Sequence, residues 1–170
     1  FHTFLIYIIP IHQCVYMNPL NMSELILYID MDGVLVDFQG GIAKLSLLDQ
    51  QLYNGRYEEY TGFFSLLEPI PGALEAFRVL SDHFDVYILS CPSIDGPSSW
   101  TDKFLWVKRY LPYAKHKLIL TRHKNLNKGA YLIDDRTKHG ASEFDGTFIH
   151  FGTTLYPNWS VVLDEFNLKT

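Results

Sequence analysis

A chain of 170 residues that is 48% hydrophobic and 15% aromatic, with only 19% charged residues, is long and apolar enough to close one sizeable core, which excludes a disordered polymer. Its 14 Lys and Arg against 19 Asp and Glu leave a net charge of −5, so no basic face serves a nucleic-acid polymer, although one local anion pocket would suffice for a mononucleotide. Two cysteines, Cys14 and Cys91, without a C-x-x-C pair exclude a disulfide framework and a thiolate zinc site, and set the expectation of free thiols in a reducing, cytoplasmic compartment.

Along the chain, residues 1–22 (FHTFLIYIIPIHQCVYMNPLNM) are apolar but lack the positive flank of a signal peptide. The run from Phe4 to Ile9 is too short to span a bilayer before Pro10 interrupts it. The expectation is an N-terminal extension, with Met17 or Met22 as natural start; the alternative is a strand added to a neighbour's sheet edge. LILYID (25–30) reads as a strand, and it runs straight into Asp30, Asp32 and Gly33. Residues 39–70, rich in Tyr, Phe, Gln and Gly, do not read as a central strand; a small helical insertion over the sheet's carboxyl edge is expected. PGALEAFRVLSDH (71–83) opens on Pro and Gly and spaces Leu74, Phe77 and Leu80 as one helical face. DVYILS (85–90) is the second strand. SSWTDKFLWVKRYLP (98–112) is expected to start at a serine cap, to present Phe104, Val107 and Leu111 on one side, and to stop at Pro112. Strands follow at 116–121, 130–135 and 146–151.

Several of these strands are continuously apolar, the pattern of strands buried on both faces of a parallel sheet. Their alternation with helices predicts an α/β fold, a Rossmann-like three-layer sandwich around a mainly parallel five-stranded sheet. Residues 23–38 and 71–170 would form the core, and 39–70 a small helical cap inserted after the first strand. Ligands of such sheets sit beyond the carboxyl ends of the strands. Here those ends carry Asp30 and Asp32, then Ser90, then Asp134 and Asp135. Two acidic pairs meeting in one crevice repel unless a cation lies between them, and a hard ion such as Mg²⁺ suits an oxygen site that also holds phosphate.

DMDGVLVD at 30–37 resembles DxDGxxxD, the first motif of the haloacid dehalogenase (HAD) superfamily of phosphotransferases. The remaining motifs follow in order: Ser90 closing a strand, Lys103 in the helix expected to carry the lysine, and LIDD at 132–135. DMDGVLVDF, FFSLLEPIPGALEAF, SCPS, DKFLWVKRYLP, LILTRHKN and LIDDR further resemble the 5'(3')-deoxyribonucleotidase family within it. The resemblance implies Mg²⁺-dependent hydrolysis of a small phosphomonoester, a deoxynucleoside monophosphate, through an aspartyl-phosphate. It implies Asp30 as nucleophile, Asp32 as general acid and base, and Lys103 as the group offsetting charge on Asp30 and phosphate. Mg²⁺ would be held by Asp30, the Asp32 carbonyl and Asp134, with Asp135 behind them and Asp37 bracing the loop. Ser90 and its neighbour Cys91 would hold the phosphate, while Phe38, Phe63 and Phe64 would stack on the base. No membrane partner is expected, and a homodimer is left open.

The residues leave rivals in place. Lys108, Lys124 and Lys128 compete with Lys103 for the lysine's role. A calcium loop starting at Asp30 would need Gly and Glu where Leu35 and Gly41 stand, so it is excluded. Cys91 lacks the C-x₅-R loop of cysteine phosphatases, and the seven histidines show no zinc spacing. Another small phosphoester, such as a sugar phosphate, remains an alternative substrate, and a non-catalytic binding module an alternative class.

Overall fold

In the computed structural model, which describes residues 22–169, five strands form one sheet: β1 (Ile26–Ile29), β2 (Asp85–Ser90), β3 (Leu118–Leu120), β4 (Tyr131–Asp134) and β5 (Thr147–His150). The expectations for the N-terminal extension and Cys14 lie outside the described residues. The strand order is β3-β2-β1-β4-β5 and all four pairings are parallel, so the sheet is wholly rather than mainly parallel. The central strand explains its own apolar sequence. Leu27 and Ile29 enter the larger core cluster with Val86, Ile88, Ile133 and Ile149, while Tyr28 enters a smaller one with Leu89 and Leu132.

The helices α3 (Ala73–Ser81), α4 (Ser98–Tyr110) and α5 (Trp159–Glu165) all contribute to the larger cluster, through Phe77 and Leu80, Trp106 and Val107, and Val162 and Leu163. Burying each such side chain contributes about 1.5–3 kcal/mol. The other cluster is completed by Ala141 and Phe144. Residues 121–130 and 135–146, which link β3 to β4 and β4 to β5, hold 3₁₀ turns rather than α-helices, so the third layer is thin.

Helix α4 departs from expectation in two ways. Its cap is Pro97, with no side-chain cap bond, instead of a serine. Its buried stripe is Ser99, Lys103, Trp106 and Val107, while Phe104 is exposed. Apolarity alone could not show this, because two of the four inward residues are polar: Ser99 bonds the Ser93 backbone and Lys103 turns toward the acids.

Between β1 and α3 the chain forms α1 (Phe38–Ala43), α2 (Leu47–Leu52) and 3₁₀ turns at Tyr57–Glu59 and Phe63–Leu66. Asp37 caps α1 by accepting from the Gly40 N–H at 2.8 Å, and Ser46 caps α2 from Asp49 at 3.1 Å. The ends of this insertion are tied together: Asp37 N–H donates to Glu68 O (2.8 Å) and Ile70 N–H to Leu35 O (2.9 Å). Among the described residues no helix is long and apolar enough to cross a membrane.

Candidate active site

The sheet reverses its order at β1, whose neighbours β2 and β4 lead away in opposite directions, and open α/β sheets place their sites at that point. The Asp30 N–H donates to Ile133 O at 2.9 Å, carrying the β1–β4 ladder one residue past the strand. The chain then folds tightly. The N–H groups of Val34, Leu35 and Val36 all converge on the Met31 carbonyl, at 3.2, 2.8 and 2.9 Å. Gly33 takes a left-handed turn with φ of +73°, and a Cβ there would overlap the Asp135 carboxylate. From below, the buried Trp159 indole N–H donates to Val34 O at 3.0 Å. Asp30 and Asp32 are buried, at the start of this tightly bonded turn.

Two buried lysines divide the acids between them. Lys103 donates to both Asp32 oxygens (2.7 and 2.8 Å) and to Ser90 Oγ (3.0 Å), with its ammonium 4.2 Å from the Phe64 ring centroid. Lys124 lies 2.9 Å from Asp30 Oδ1 and bonds Asp134 Oδ2. The sequence carried Lys124 only as a rival to Lys103; it is Lys124 that sits at Asp30, and Lys103 serves Asp32 and Ser90 instead. The signal was available, since Lys124 follows the third strand as Ser90 closes the second. Charges this deeply buried survive only when paired in this way.

Asp30, Asp134 and Asp135 bring carboxylate oxygens within 4.8 Å of one another. Asp135, expected behind the ligands, stands beside Asp30 and Asp134 in this group. Its Oδ1 is buried without a hydrogen-bond partner, whereas Asp134 has both oxygens engaged, Oδ1 by the Arg136 N–H at 3.0 Å and Oδ2 by Lys124. Asp32 lies outside this group by its side chain, which Lys103 holds. An all-oxygen set with a buried lone pair left over fits a hard divalent cation.

Electrostatics agree. Burial and the Asp30 charge push the Asp134 carboxyl up to about 7 and the Asp135 carboxyl up to about 6. Burial also raises Asp32, against the pull of Lys103. For Lys124, burial opposes the charged form, but Asp30 and Asp134 outweigh it and hold the ammonium protonated. Asp134 and Asp135 therefore bind protons more tightly folded than unfolded, where carboxyls titrate near 4. Their contribution to stability is full below about pH 4 and is lost as pH rises through about 6 to 7. In EDTA the protein is expected to melt at a lower temperature at pH 7.5 than at pH 5.5. Saturating Mg²⁺ should restore about 5–10 °C at pH 7.5 and little at pH 5.5. Thermal melts at both pH values check this, and a metal-free protein more stable at pH 7.5 would contradict it.

Above the acids opens a cleft of about 360 Å³. Asp30, Asp32, Lys124 and Asp134 lie at its floor, and Cys91, half-buried with its thiol pushed up by burial, lies on its wall. Arg56, Glu58 and Glu59 reach it from the insertion, and Arg122, Arg136 and Lys138 from the loops after β3 and β4. Sequence reasoning named none of these six, although position after a strand marks the last three. The rings expected to stack on a base lie away from this cleft. No Phe, Tyr or Trp lines this cleft among the described residues. Phe63 and Phe64 are fully buried, and Phe38 packs edge-on to Phe63 at 4.9 Å between centroids. Burial against Leu67 and the core stabilises Phe63 and Phe64 more than an exposed stacking position would, while Phe38 is half-buried and lines a second pocket beside Asp135.

Similarities to known proteins bear on this site. The family described as "5' nucleotidase, deoxy (Pyrimidine), cytosolic type C protein" matches residues 47–156. A Vibrio phage KVP40 protein provisionally named a 5'(3')-deoxyribonucleotidase is 57% identical over 139 residues, covering 81% of this chain and 82% of that protein. A protein of the same provisional name from Bordetella bronchiseptica is 35% identical over 139 residues, covering 66% of this chain and 74% of its own. The human 5'(3')-deoxyribonucleotidase, cytosolic type, is 31% identical over 165 residues, covering 79% and 82%.

Proposed function

Because the chain belongs to the 5'(3')-deoxyribonucleotidase family, and is therefore a phosphomonoester hydrolase, we propose that it dephosphorylates deoxynucleoside monophosphates through an aspartyl-phosphate on Asp30 with Mg²⁺ bound beside it. The observation that carries this reading is the division of labour at the switch point: two carboxylates two residues apart, each paired to its own buried lysine.

In the first step an Asp30 oxygen attacks phosphorus, a P–O bond forms to Asp30, and the P–O bond to the nucleoside breaks. Asp32 gives its proton to the departing oxygen; burial raises its proton affinity and Lys103 fixes its direction. In the second step Asp32 takes a proton from water, whose oxygen bonds phosphorus and releases Asp30. Lys124 would offset the charge of Asp30 and the phosphoryl oxygens, and Ser90 Oγ, which accepts from Lys103, would donate to one of them. Asp30, Asp134 and Asp135, with the Asp32 carbonyl, would hold Mg²⁺, which when bound screens the phosphate dianion from the carboxylates. Asp37 acts at a distance, by capping α1.

Phosphate release from 5'- and 3'-deoxynucleotides, ribonucleotides and sugar phosphates, in Mg²⁺ and in EDTA, tests the assignment. Mg²⁺-dependent release from deoxynucleotides is expected. Release chiefly from sugar phosphates would sink the substrate assignment and keep the chemistry; the ring-free cleft wall is the observation on the side of that second reading.

A further inference from the structure

The cations around the cleft fall into two sets. Arg56, Lys124 and Arg136 each have a carboxylate partner: Glu59 at 3.0 Å, Asp30 at 2.9 Å and Asp135 at 3.5 Å. Arg122 and Lys138 line the same cleft, and among the described residues neither has a carboxylate oxygen within 4.0 Å. Of the acids lining the cleft outside its floor, Glu59 is committed to Arg56, while Glu58 and Asp95 come from the insertion and the β2–α4 loop.

Neither cation is on a loose loop. Arg122 Nη1 donates to Pro92 O at 3.4 Å and to Cys91 Sγ at 3.6 Å, which anchors one arm of the guanidinium and leaves the other for a ligand. Lys138 precedes His139, whose φ of +56° is uncommon for a residue with a side chain. The His139 carbonyl accepts from the Lys124 N–H at 2.8 Å, so this strained turn is bonded to the segment that carries the lysine at Asp30. Gly140, at φ +83°, lies against the Asn125 side chain so closely that a Cβ would overlap it. Burial, then the charges of Arg122, Lys124, Arg136 and Lys138, depress the proton affinity of His139, which places it in a positive field.

A phosphate undergoing transfer is served by Lys124, Ser90 and the Lys103–Asp32 pair, which leaves Arg122 and Lys138 without an anion. We propose that Arg122 and Lys138 form a second anion subsite, which takes a further phosphate group on a nucleotide whose terminal phosphate is at Asp30. This rests on the nucleotidase reading above and extends it to substrates with two phosphates. The second group is either the far phosphate of a deoxynucleoside 3',5'-bisphosphate or the phosphodiester of a short 5'-phosphorylated oligonucleotide.

Steady-state kinetics on a deoxynucleoside 5'-monophosphate, its 3',5'-bisphosphate and a 5'-phosphorylated dinucleotide, with Mg²⁺ saturating, separate the cases. The wild-type KM is expected to be about tenfold lower for the bisphosphate than for the monophosphate at similar kcat, the value of one charge-assisted grip. Lys138→Ala should raise the bisphosphate KM toward that of the monophosphate and leave monophosphate turnover unchanged, Arg122→Ala should raise the bisphosphate KM by a larger factor than the monophosphate KM, and Lys138→Arg should keep the preference. A dinucleotide that shares the lower KM identifies the diester as sufficient; one that does not identifies the terminal dianion as the ligand. Equal KM values for all three substrates, or variants that slow the monophosphate as much as the bisphosphate, would overturn the subsite. Silence on all three, the monophosphate included, would overturn the nucleotidase reading beneath it.

Discussion

Asp30→Asn is expected to lower phosphate release by about 10⁴-fold or more, because on the proposed mechanism Asp30 forms the covalent link and a lost nucleophile is not partly replaced. The fold should survive. Asp30 is buried beside Asp134 and Asp135, and removing its charge relieves repulsion that now raises both of their proton affinities. Lys124 keeps Asp134 as a partner. The melting temperature in EDTA at pH 7.5 should therefore equal or exceed that of the wild type. Circular dichroism melts together with a phosphate-release assay check both halves. Retention of more than a few per cent of the activity would remove Asp30 from the nucleophile's role.

Lys124→Met is expected to act on both rate and stability. The ammonium is the charge that permits Asp30 and Asp134 to be buried together, and removing one partner of such a set costs about 3–5 kcal/mol. Rate should fall by about 10²–10³-fold, the scale of losing one preorganised electrostatic group. Mg²⁺ or a lower pH should recover much of the stability, since each neutralises the carboxylates, but neither should recover the rate. Lys103→Met leaves Lys124 between Asp30 and Asp134 but strips the buried Asp32 of its partner, so it too should lower the metal-free melting temperature at neutral pH, and less so at low pH, where Asp32 is protonated. A Lys124→Met enzyme of normal rate would show that the pairing with Asp30 is structural only.

Much of the framework was legible in the residues because it follows from burial. LILYI and DVYILS are apolar without alternation, and one core cluster packs on each face of the sheet they form. The acids at 30, 32, 134 and 135 conflict with the runs that precede them, and that conflict marks the site. Residues whose role depends on geometry were harder to place. Lys103 and Ser99 hide the inward face of α4, so periodicity favoured the exposed Phe104. Lys124 and Lys103 are equivalent by composition, and only the fold assigns one to Asp30 and the other to Asp32. Asp135 was expected behind Asp134, yet both bring oxygens to the same cluster, which the order of residues alone does not show. Phe63 and Phe64 looked available for a base because a sequence does not say which aromatic rings a core has already taken.

The most direct measurement is of the covalent intermediate itself. The enzyme is quenched in acid during turnover of a deoxynucleoside monophosphate, digested at low pH, and the peptide spanning residues 25–38 is weighed. One added phosphoryl group located on Asp30, present in Mg²⁺ and absent from Asp32→Asn enzyme without substrate, is the predicted result. Full-rate phosphate release with that peptide unmodified, under a quench fast enough to catch a phosphorylated control aspartate, would contradict it.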